Sequence, residues 1–119
     1  MEKGTILHGI EVRHSRDGSV KIYLWGEFDL YSIDELRETL SSVASLRRPT
    51  TIDLSQVAFM DIQSTRELAV RSQLYAHHVT LLDPSWQVER SVTACKLDEW
   101  VRFEYREEHP SRPILEKAS

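Results

Sequence analysis

Hydrophobic and polar positions alternate with a period of two near the start of the chain and change to a helical period further on. Val20, Ile22 and Leu24 alternate with Lys21, Tyr23 and Trp25, which predicts a strand with one buried face that ends at residues 26–29. The turn-forming residues 15–18 come just before it, and residues 7–14 have the composition of a strand. The chain is therefore predicted to open with an antiparallel hairpin.

A helix is predicted next, because apolar residues repeat at spacings of three and four between Ile33 and Leu46. Ser32 and Glu35 have the spacing of a capping box, so the helix is expected to begin near Ser32. Pro49 is expected to stop it.

The segment from residue 51 to residue 67 is the most informative part of the chain. It predicts a short buried strand around Ile52 and Leu54, a tight polar turn, and a helix from 65 to about 77. Ser64 and Glu67 have the spacing of a second capping box, in which each side chain accepts from the backbone amide of the other residue. A helix start of this kind carries free amides and a partial positive charge.

Strands and helices continue to alternate after this segment. The pattern predicts a strand over 79–82, a helix after Asp83-Pro84-Ser85 and a last strand over 100–105. Such alternation implies crossover connections and parallel pairing. We therefore predict an α/β fold with a mixed sheet, an antiparallel N-terminal hairpin, parallel later strands and helices mainly on one face. This domain covers 7–105, and 106–119 is predicted to be a flexible C-terminal tail.

Composition narrows the classes of function. A formal net charge of -4 over 119 residues argues against binding to a nucleic-acid backbone. A single cysteine excludes an internal disulfide and a cysteine-based zinc site. No segment approaches the ~20 apolar residues of a membrane span, and no apolar run near the first residue predicts a signal peptide. We expect a cytoplasmic domain without membrane insertion.

Two blocks of residues resemble a known family. They are Gly26-Glu27-Phe28-Asp29 and Asp53-Leu54-Ser55-x-Val57-x-Phe59-Met60-Asp61, in this order and separated by one helix. Together they resemble the STAS domain of bacterial anti-sigma factor antagonists, over about residues 11–103. The resemblance implies a non-enzymatic regulator without a cofactor. It also implies a protein partner, an anti-sigma factor of the histidine-kinase-like ATPase fold that typically acts as a serine kinase.

In that family, phosphorylation of the serine directly after the aspartate of the second block ends the interaction with the partner. Aligned without gaps, Asp61 matches the aspartate, Ile62 falls at the phosphoserine, Gln63 at the next serine and Ser64 at a glycine. Ile62 cannot accept a phosphate. The resemblance therefore implies a docking turn that lacks the usual phosphoserine.

We predict that the partner docks on residues at the ends of the two blocks, namely Asp29, Ser32, Asp61, Ile62, Gln63, Ser64, Thr65 and Arg66. Ser64 and Thr65 are candidates for a displaced phosphosite, although a plain N-cap role is favoured for Ser64. Ile62 either packs inside the turn or is an exposed apolar contact. Asp29 and Asp61 should share one end of the sheet. No nucleophile, histidine or lysine is fixed beside them by spacing, so neither catalysis nor metal binding is predicted.

Other interpretations stay open. The chain could be a STAS subunit of a larger assembly, such as a lipid-transport ATPase or a stress-signalling scaffold. It could also sense a small anion or nucleotide through the free amides of residues 63–66. A homodimer is an open alternative to a monomer.

Overall fold

The computed structural model describes residues 7–106 of the chain. Its helices and strands follow one another as β1 (His8–His14), β2 (Val20–Phe28), α1 (Ile33–Ala44), β3 (Thr50–Met60), α2 (Ile62–Leu74), β4 (Val79–Leu82), α3 (Trp86–Ala94) and β5 (Phe103–Glu104). One sheet has the strand order β1-β2-β3-β4-β5, in which β1 and β2 are antiparallel and every later pair is parallel. The predicted mixed α/β sheet is confirmed.

The core lies between the sheet and the helices, because alternate residues of each central strand face the same way. Val20, Ile22 and Leu24 of β2 are almost completely buried. They belong to one apolar cluster with residues of the three helices and of β3, including Leu36, Leu40, Leu68, Val88, Val92, Ile52 and Leu54. The opposite face of the sheet carries the charged and polar positions of the same strands.

The β2 strand ends at Phe28, within the predicted range of 26–29, and continues through Gly26. Gly26 has φ +87°, and a Cβ at this position would lie 2.1 Å from the carbonyl oxygen of Leu7. Glycine is needed here because the strand preceding it in the hairpin approaches closely. Gly26 therefore marks a close backbone contact between β2 and the segment that leads into β1.

The β3 strand is longer than predicted, since Thr50–Met60 forms one strand and the predicted tight polar turn is reduced to Asp61, which joins the strand to α2. Only residues 50–53 pair with β4. Beyond them, carbonyls on that edge accept from α3 and its cap: Ser85 N donates to Leu54 O at 3.1 Å, Ser85 Oγ to Val57 O at 2.7 Å and Ser91 Oγ to Met60 O at 3.0 Å. Side-chain hydroxyls thus replace a neighbouring strand and fix α3 against β3.

The predicted capping box of α1 does not form. The helix begins at Ile33 as expected, but the side chain of Ser32 makes no cap bond to it. Ser32 Oγ instead accepts from the Asp29 amide at 3.0 Å. Glu35 turns towards β1, where its Oε1 lies 2.7 Å from His8 Nε2. Ser32 and Glu35 thus bind Asp29 of the preceding loop and His8 of β1 instead of each other. The spacing of two residues within a helix does not reveal such partners.

The predicted capping box of α2 is also wrong. The helix begins at Ile62, and its N-cap is Asp61, whose Oδ1 accepts from the Ser64 amide at 2.8 Å. Because β3 runs to Met60, the aspartate that follows the strand directly takes the cap position. Glu67 pairs with arginines instead of reaching back to the Ser64 amide.

The last described residue, Arg106, is fixed against the sheet, although the sequence placed it in the tail. Its guanidinium pairs with Asp53 and, at 3.1 Å, with Asp83, and its amide donates to Asp83 Oδ1 at 2.9 Å. Burial opposes ionisation of Asp53, but hydrogen bonds from Ser55 and the nearby Arg106 lower the pKa of Asp53 below its usual value. The predicted strand over 100–105 shortens to Phe103–Glu104. The rest of the predicted tail lies outside the described residues. Between residues 7 and 106, no helix has the length and hydropathy to cross a bilayer.

Candidate functional site

The C-terminal ends of β2 and β3 lie side by side, which brings the two predicted docking turns together. Phe28 pairs with Met60 in the parallel ladder, and the amide of Asp61 donates to the Phe28 carbonyl at 2.9 Å. Asp29 and Asp61 each follow the last residue of their strand. They therefore share one end of the sheet, as the sequence predicted.

The turn after β2 is closed by hydrogen bonds of Asp29 and Ser32. The Asp29 amide donates to Ser32 Oγ and the Tyr31 amide donates to Asp29 Oδ1, both at 3.0 Å. The Ser32 amide donates to the Asp29 carbonyl, also at 3.0 Å. Ser32 is buried, so its hydrogen bonds lie on the inner side of the turn. Its outer side displays two large apolar side chains, Leu30 and Tyr31.

The turn after β3 is held by Asp61. Besides the cap bond to Ser64, the Asp61 carbonyl accepts from the Thr65 amide at 2.9 Å and from Thr65 Oγ1 at 2.7 Å. A carboxylate at a helix N-terminus is also favoured by the helix dipole. Two of the four amides invoked for an anion sensor are thus already bonded to Asp61. The carboxylate of Asp61 also supplies the negative charge that this helix end attracts, which argues against a small-anion site.

The two candidate hydroxyls, Ser64 and Thr65, are both 0 % exposed. Thr65 Oγ1 donates to Asp61 O, whereas Ser64 Oγ has no hydrogen-bond partner within the described part of the chain. The interpretation of Ser64 as the N-cap is wrong. A kinase could reach either hydroxyl only if the first turn of α2 opened. Phosphorylation at these positions stays a prediction.

Ile62 is 58 % exposed, so it is an outward apolar contact and not a core residue of the turn. Three more large apolar side chains lie within two residues of Asp29 or Asp61: Leu30 is 68 % exposed, Tyr31 88 % and Phe59 49 %. Gln63 and Arg66 of α2 are also exposed. We call these six residues the strand-end surface. All six lie at the same end of the sheet, and exposed apolar groups with polar neighbours at one site are typical of a binding surface.

Sequence reasoning missed three members of this surface. Leu30 and Tyr31 are two consecutive apolar residues in a loop, outside any strand or helix period. This pattern could have predicted that they are exposed. Phe59 lies opposite the exposed Glu27, after two register shifts of β3 against β2, one between Tyr23 and Trp25 and one between Gly26 and Glu27. Each such bulge reverses the alternation of faces, so the two together leave Phe59 on the face opposite Ile52 and Leu54. The sequence missed Phe59 because it predicted only a short strand around Ile52 and Leu54.

An ion-pair network behind the surface ties α2 to α1. The carboxylate of Glu67 lies 3.1 Å from Arg37 of α1 and 3.3 Å from Arg71 of its own helix. Burial opposes ionisation of Glu67, but hydrogen bonds from the two guanidiniums lower the pKa of Glu67 below its usual value. The network fixes the start of α2 relative to α1. Among the residues that the structure describes, no three His, Cys, Asp or Glu side chains are grouped as metal ligands.

Comparison with known proteins identifies a family and a set of similar folds. The model of the STAS domain matches residues 10–109. An anti-sigma factor antagonist from Mycobacterium paratuberculosis superposes with a TM-score of 0.68 at 20% identity, covering 85% of this chain and 86% of that one. The anti-sigma factor antagonist SpoIIAA in its unphosphorylated form gives 0.62 at 18% identity, covering 84% and 90%.

The Bacillus cell fate determinant SpoIIAA in its phosphorylated form also gives a TM-score of 0.62, at 16% identity, covering 93% of this chain and 100% of that one. At these identities the structural likeness concerns the fold alone. No curated protein matches the chain.

Proposed function

The chain belongs to the STAS domain family, and from this premise we propose that it is a non-enzymatic regulator that binds an anti-sigma factor of the histidine-kinase-like ATPase fold. Its partner docks on the strand-end surface. The observation that carries the proposal is the exposure of Leu30, Tyr31 and Ile62 at two adjacent strand ends, which the hydrogen bond from the Asp61 amide to the Phe28 carbonyl joins. Solved structures of the same fold include anti-sigma factor antagonists, which supports this class of partner.

The two turns are suited to binding because they are already ordered. Asp29 and Ser32 close the first turn, and Asp61 caps the helix that begins the second. Preformed turns lose little conformational entropy when a partner binds, so more of the contact free energy remains as affinity. Tyr31 and Ile62 supply apolar area, and Arg66 supplies a charge at the rim.

The proposed interaction is not switched by phosphorylation at the usual place. Ile62 has no hydroxyl, and the neighbouring hydroxyls of Ser64 and Thr65 are buried. A phosphate in this position would add about -1.5 to -2 charges to an apolar contact surface. An isoleucine instead leaves the surface permanently apolar. We infer that binding continues in the presence of ATP and the partner kinase.

Titration of the purified chain with each anti-sigma factor of this fold from the host organism tests the proposal. Isothermal titration calorimetry with and without ATP should find one partner that binds under both conditions. The intact mass after incubation with ATP should be unchanged. The proposal fails if none of these ATPases binds, as expected for a subunit of a transport assembly. It also fails if phosphate added within residues 62–66 abolishes binding.

A further inference from the structure

The outer edge of β1 carries unpaired backbone groups, and two hydrogen bonds identify which ones. The Glu27 amide donates to the Leu7 carbonyl at 2.7 Å, and the Ser15 amide donates to the Ser19 carbonyl at 2.9 Å. Both bonds continue the register that pairs His8 with Gly26 and His14 with Val20. Hydrogen-bonded and non-hydrogen-bonded pairs alternate along an antiparallel ladder. The odd-numbered residues of β1 therefore bond to β2.

The even-numbered residues of β1, His8, Ile10, Val12 and His14, consequently direct their N–H and C=O groups away from the sheet. Within residues 7–106, no backbone or side-chain group bonds to this edge. The stretch 11–14 is exposed along its whole length. An exposed edge of this kind is a template for pairing with another strand.

We propose that two copies of this chain pair through their β1 edges, antiparallel, about a two-fold axis at Val12. In a symmetric antiparallel pair, each contact occurs twice. An axis at Val12 places Glu11 of each copy opposite Arg13 of the other, so two cross-strand pairs of opposite charge form. The backbones of Ile10 and His14 of one copy then bond to His14 and Ile10 of the other.

The charges of Glu11 and Arg13 favour an axis at Val12 over axes at the neighbouring residues. An axis at Glu11 would bring two carboxylates together, and an axis at Arg13 would bring two guanidiniums together. An axis at Ile10 would place Glu11 opposite Gly9 and leave the charges of β1 uncompensated. Within one copy, Arg13 Nε already lies 2.6 Å from Glu11 Oε2, so in the dimer each of the four charges would have neighbours of opposite sign both along its own strand and across the pair.

Apolar surface on the helical side of the sheet supports the same axis. Val12 pairs with the buried Ile22, so its side chain is on the face that the helices cover, yet it is 36 % exposed. It lines a groove between β1 and α1 together with Leu46, which is also exposed. The axis at Val12 brings the two valines into contact and places the two grooves next to each other. Pairing therefore buries apolar area as well as satisfying backbone groups.

The proposed dimer goes beyond the proposed function and does not depend on it. Residues 10–14 of β1 lie beside residues 20–24 of β2, at the start of that strand. The strand-end surface follows Phe28, at the other end of β2. Both strand-end surfaces thus remain open in the dimer, which could hold two partner molecules.

Sedimentation equilibrium with charge-reversed variants tests the dimer without any partner protein. The wild-type chain should dimerise. Glu11→Arg and Arg13→Glu should each raise the dissociation constant about tenfold or more, because both cross-strand pairs become pairs of like charge. Mixing these two variants should restore association as a heterodimer, since every pair is again Arg with Glu. The double variant carrying both substitutions should also regain the wild-type constant.

Glu99→Arg is the matched control, because it makes the same change of charge at an exposed residue far from β1 and should leave the constant unchanged. Circular dichroism of each variant checks that it is folded. The proposal is overturned if the wild-type chain is monomeric up to about 1 mM. It is also overturned if single reversals leave dimerisation intact, or if mixing the two folded variants does not restore it.

Discussion

Exchanging Asp61 or Ser64 for alanine decides which residue caps α2. Asp61 Oδ1 accepts from the Ser64 amide at 2.8 Å, whereas Ser64 Oγ is buried without a partner in the described residues. Asp61→Ala removes the only side-chain acceptor of that amide and a negative charge from the positive end of the helix. Ser64→Ala removes a hydroxyl that forms no hydrogen bond within residues 7–106. Asp61→Ala should therefore lower the free energy of unfolding, whereas Ser64→Ala should not.

The expected sizes follow from these contacts. Losing an N-cap costs about 0.5–2 kcal/mol, and losing a carboxylate near a helix N-terminus costs about 0.3–1 kcal/mol. These two effects overlap in Asp61, so we expect a loss of about 1–2 kcal/mol for Asp61→Ala. An unsatisfied buried polar group costs about 1–3 kcal/mol, part of which Ser64→Ala recovers. Because the variant also loses a few packing contacts, its stability should be unchanged or rise by about 1 kcal/mol.

Urea denaturation measured by circular dichroism gives both free energies, provided that the slope with urea stays the same. For a domain of this size, the loss in Asp61→Ala corresponds to a fall of about 3–8 °C in the thermal midpoint. The reasoning is refuted if Ser64→Ala costs as much as Asp61→Ala. That result would mean that Ser64 and Glu67 form the capping box and that the helix begins later.

The remaining predictions concern the hairpin and acid unfolding. Gly26→Ala should lower the free energy of unfolding by about 2–4 kcal/mol, since its Cβ would meet Leu7 O; Gly18→Ala, at φ +91° in open space, should cost only about 1 kcal/mol. Equal losses would contradict the close contact. The lowered pKa values of Asp53 and Glu67 stabilise the fold above the pKa of an unfolded carboxyl, near 4, and this stability is lost as the pH falls through the lower folded values. In Glu67→Gln, the free energy of unfolding, measured by urea titration, should therefore fall less steeply as the pH is lowered below about 4. An unchanged fall would contradict the ion pairs of Glu67 with Arg37 and Arg71.

Much of the fold could be predicted because burial of one face makes apolar residues repeat with a characteristic period in strands and another in helices. The alternation at Val20, Ile22 and Leu24 and the spacing within α1 both reflect one face packed against the core. The order of strands and helices then restricts the topology, since parallel strands require crossovers. Termini of the elements were less predictable. Ser32 and Ser64 both have the local signature of a cap, but in each case Asp29 or Asp61 competes for the same groups.

The candidate site was only partly predictable from the sequence. The positions of Asp29 and Asp61 follow from the strands that precede them. The resemblance to a known family indicated that the residues around them form the docking site. Phe59 was missed because the strand was predicted to be short, whereas β3 runs to Met60. Arg106 was assigned to the tail because its partners, Asp53 and Asp83, are distant in sequence. Contacts of this kind depend on the assembled sheet.

Calorimetric titration of Ile62 variants with the cognate anti-sigma factor tests whether the partner binds the strand-end surface. Full burial of an isoleucine is worth about 1.5–3 kcal/mol, and the 58 % that is still exposed corresponds to about 1–2 kcal/mol. Ile62→Ala should therefore raise the dissociation constant about 5- to 30-fold, and Ile62→Asp about 100-fold or more, because a carboxylate would also lose its water.

Val70→Asp is the matched control, since Val70 is an exposed apolar residue of the same helix, eight positions further on and outside the strand-end surface. This variant should bind the partner with the wild-type affinity. Binding of a folded Ile62→Asp variant at the wild-type affinity would contradict the claim that the partner docks here.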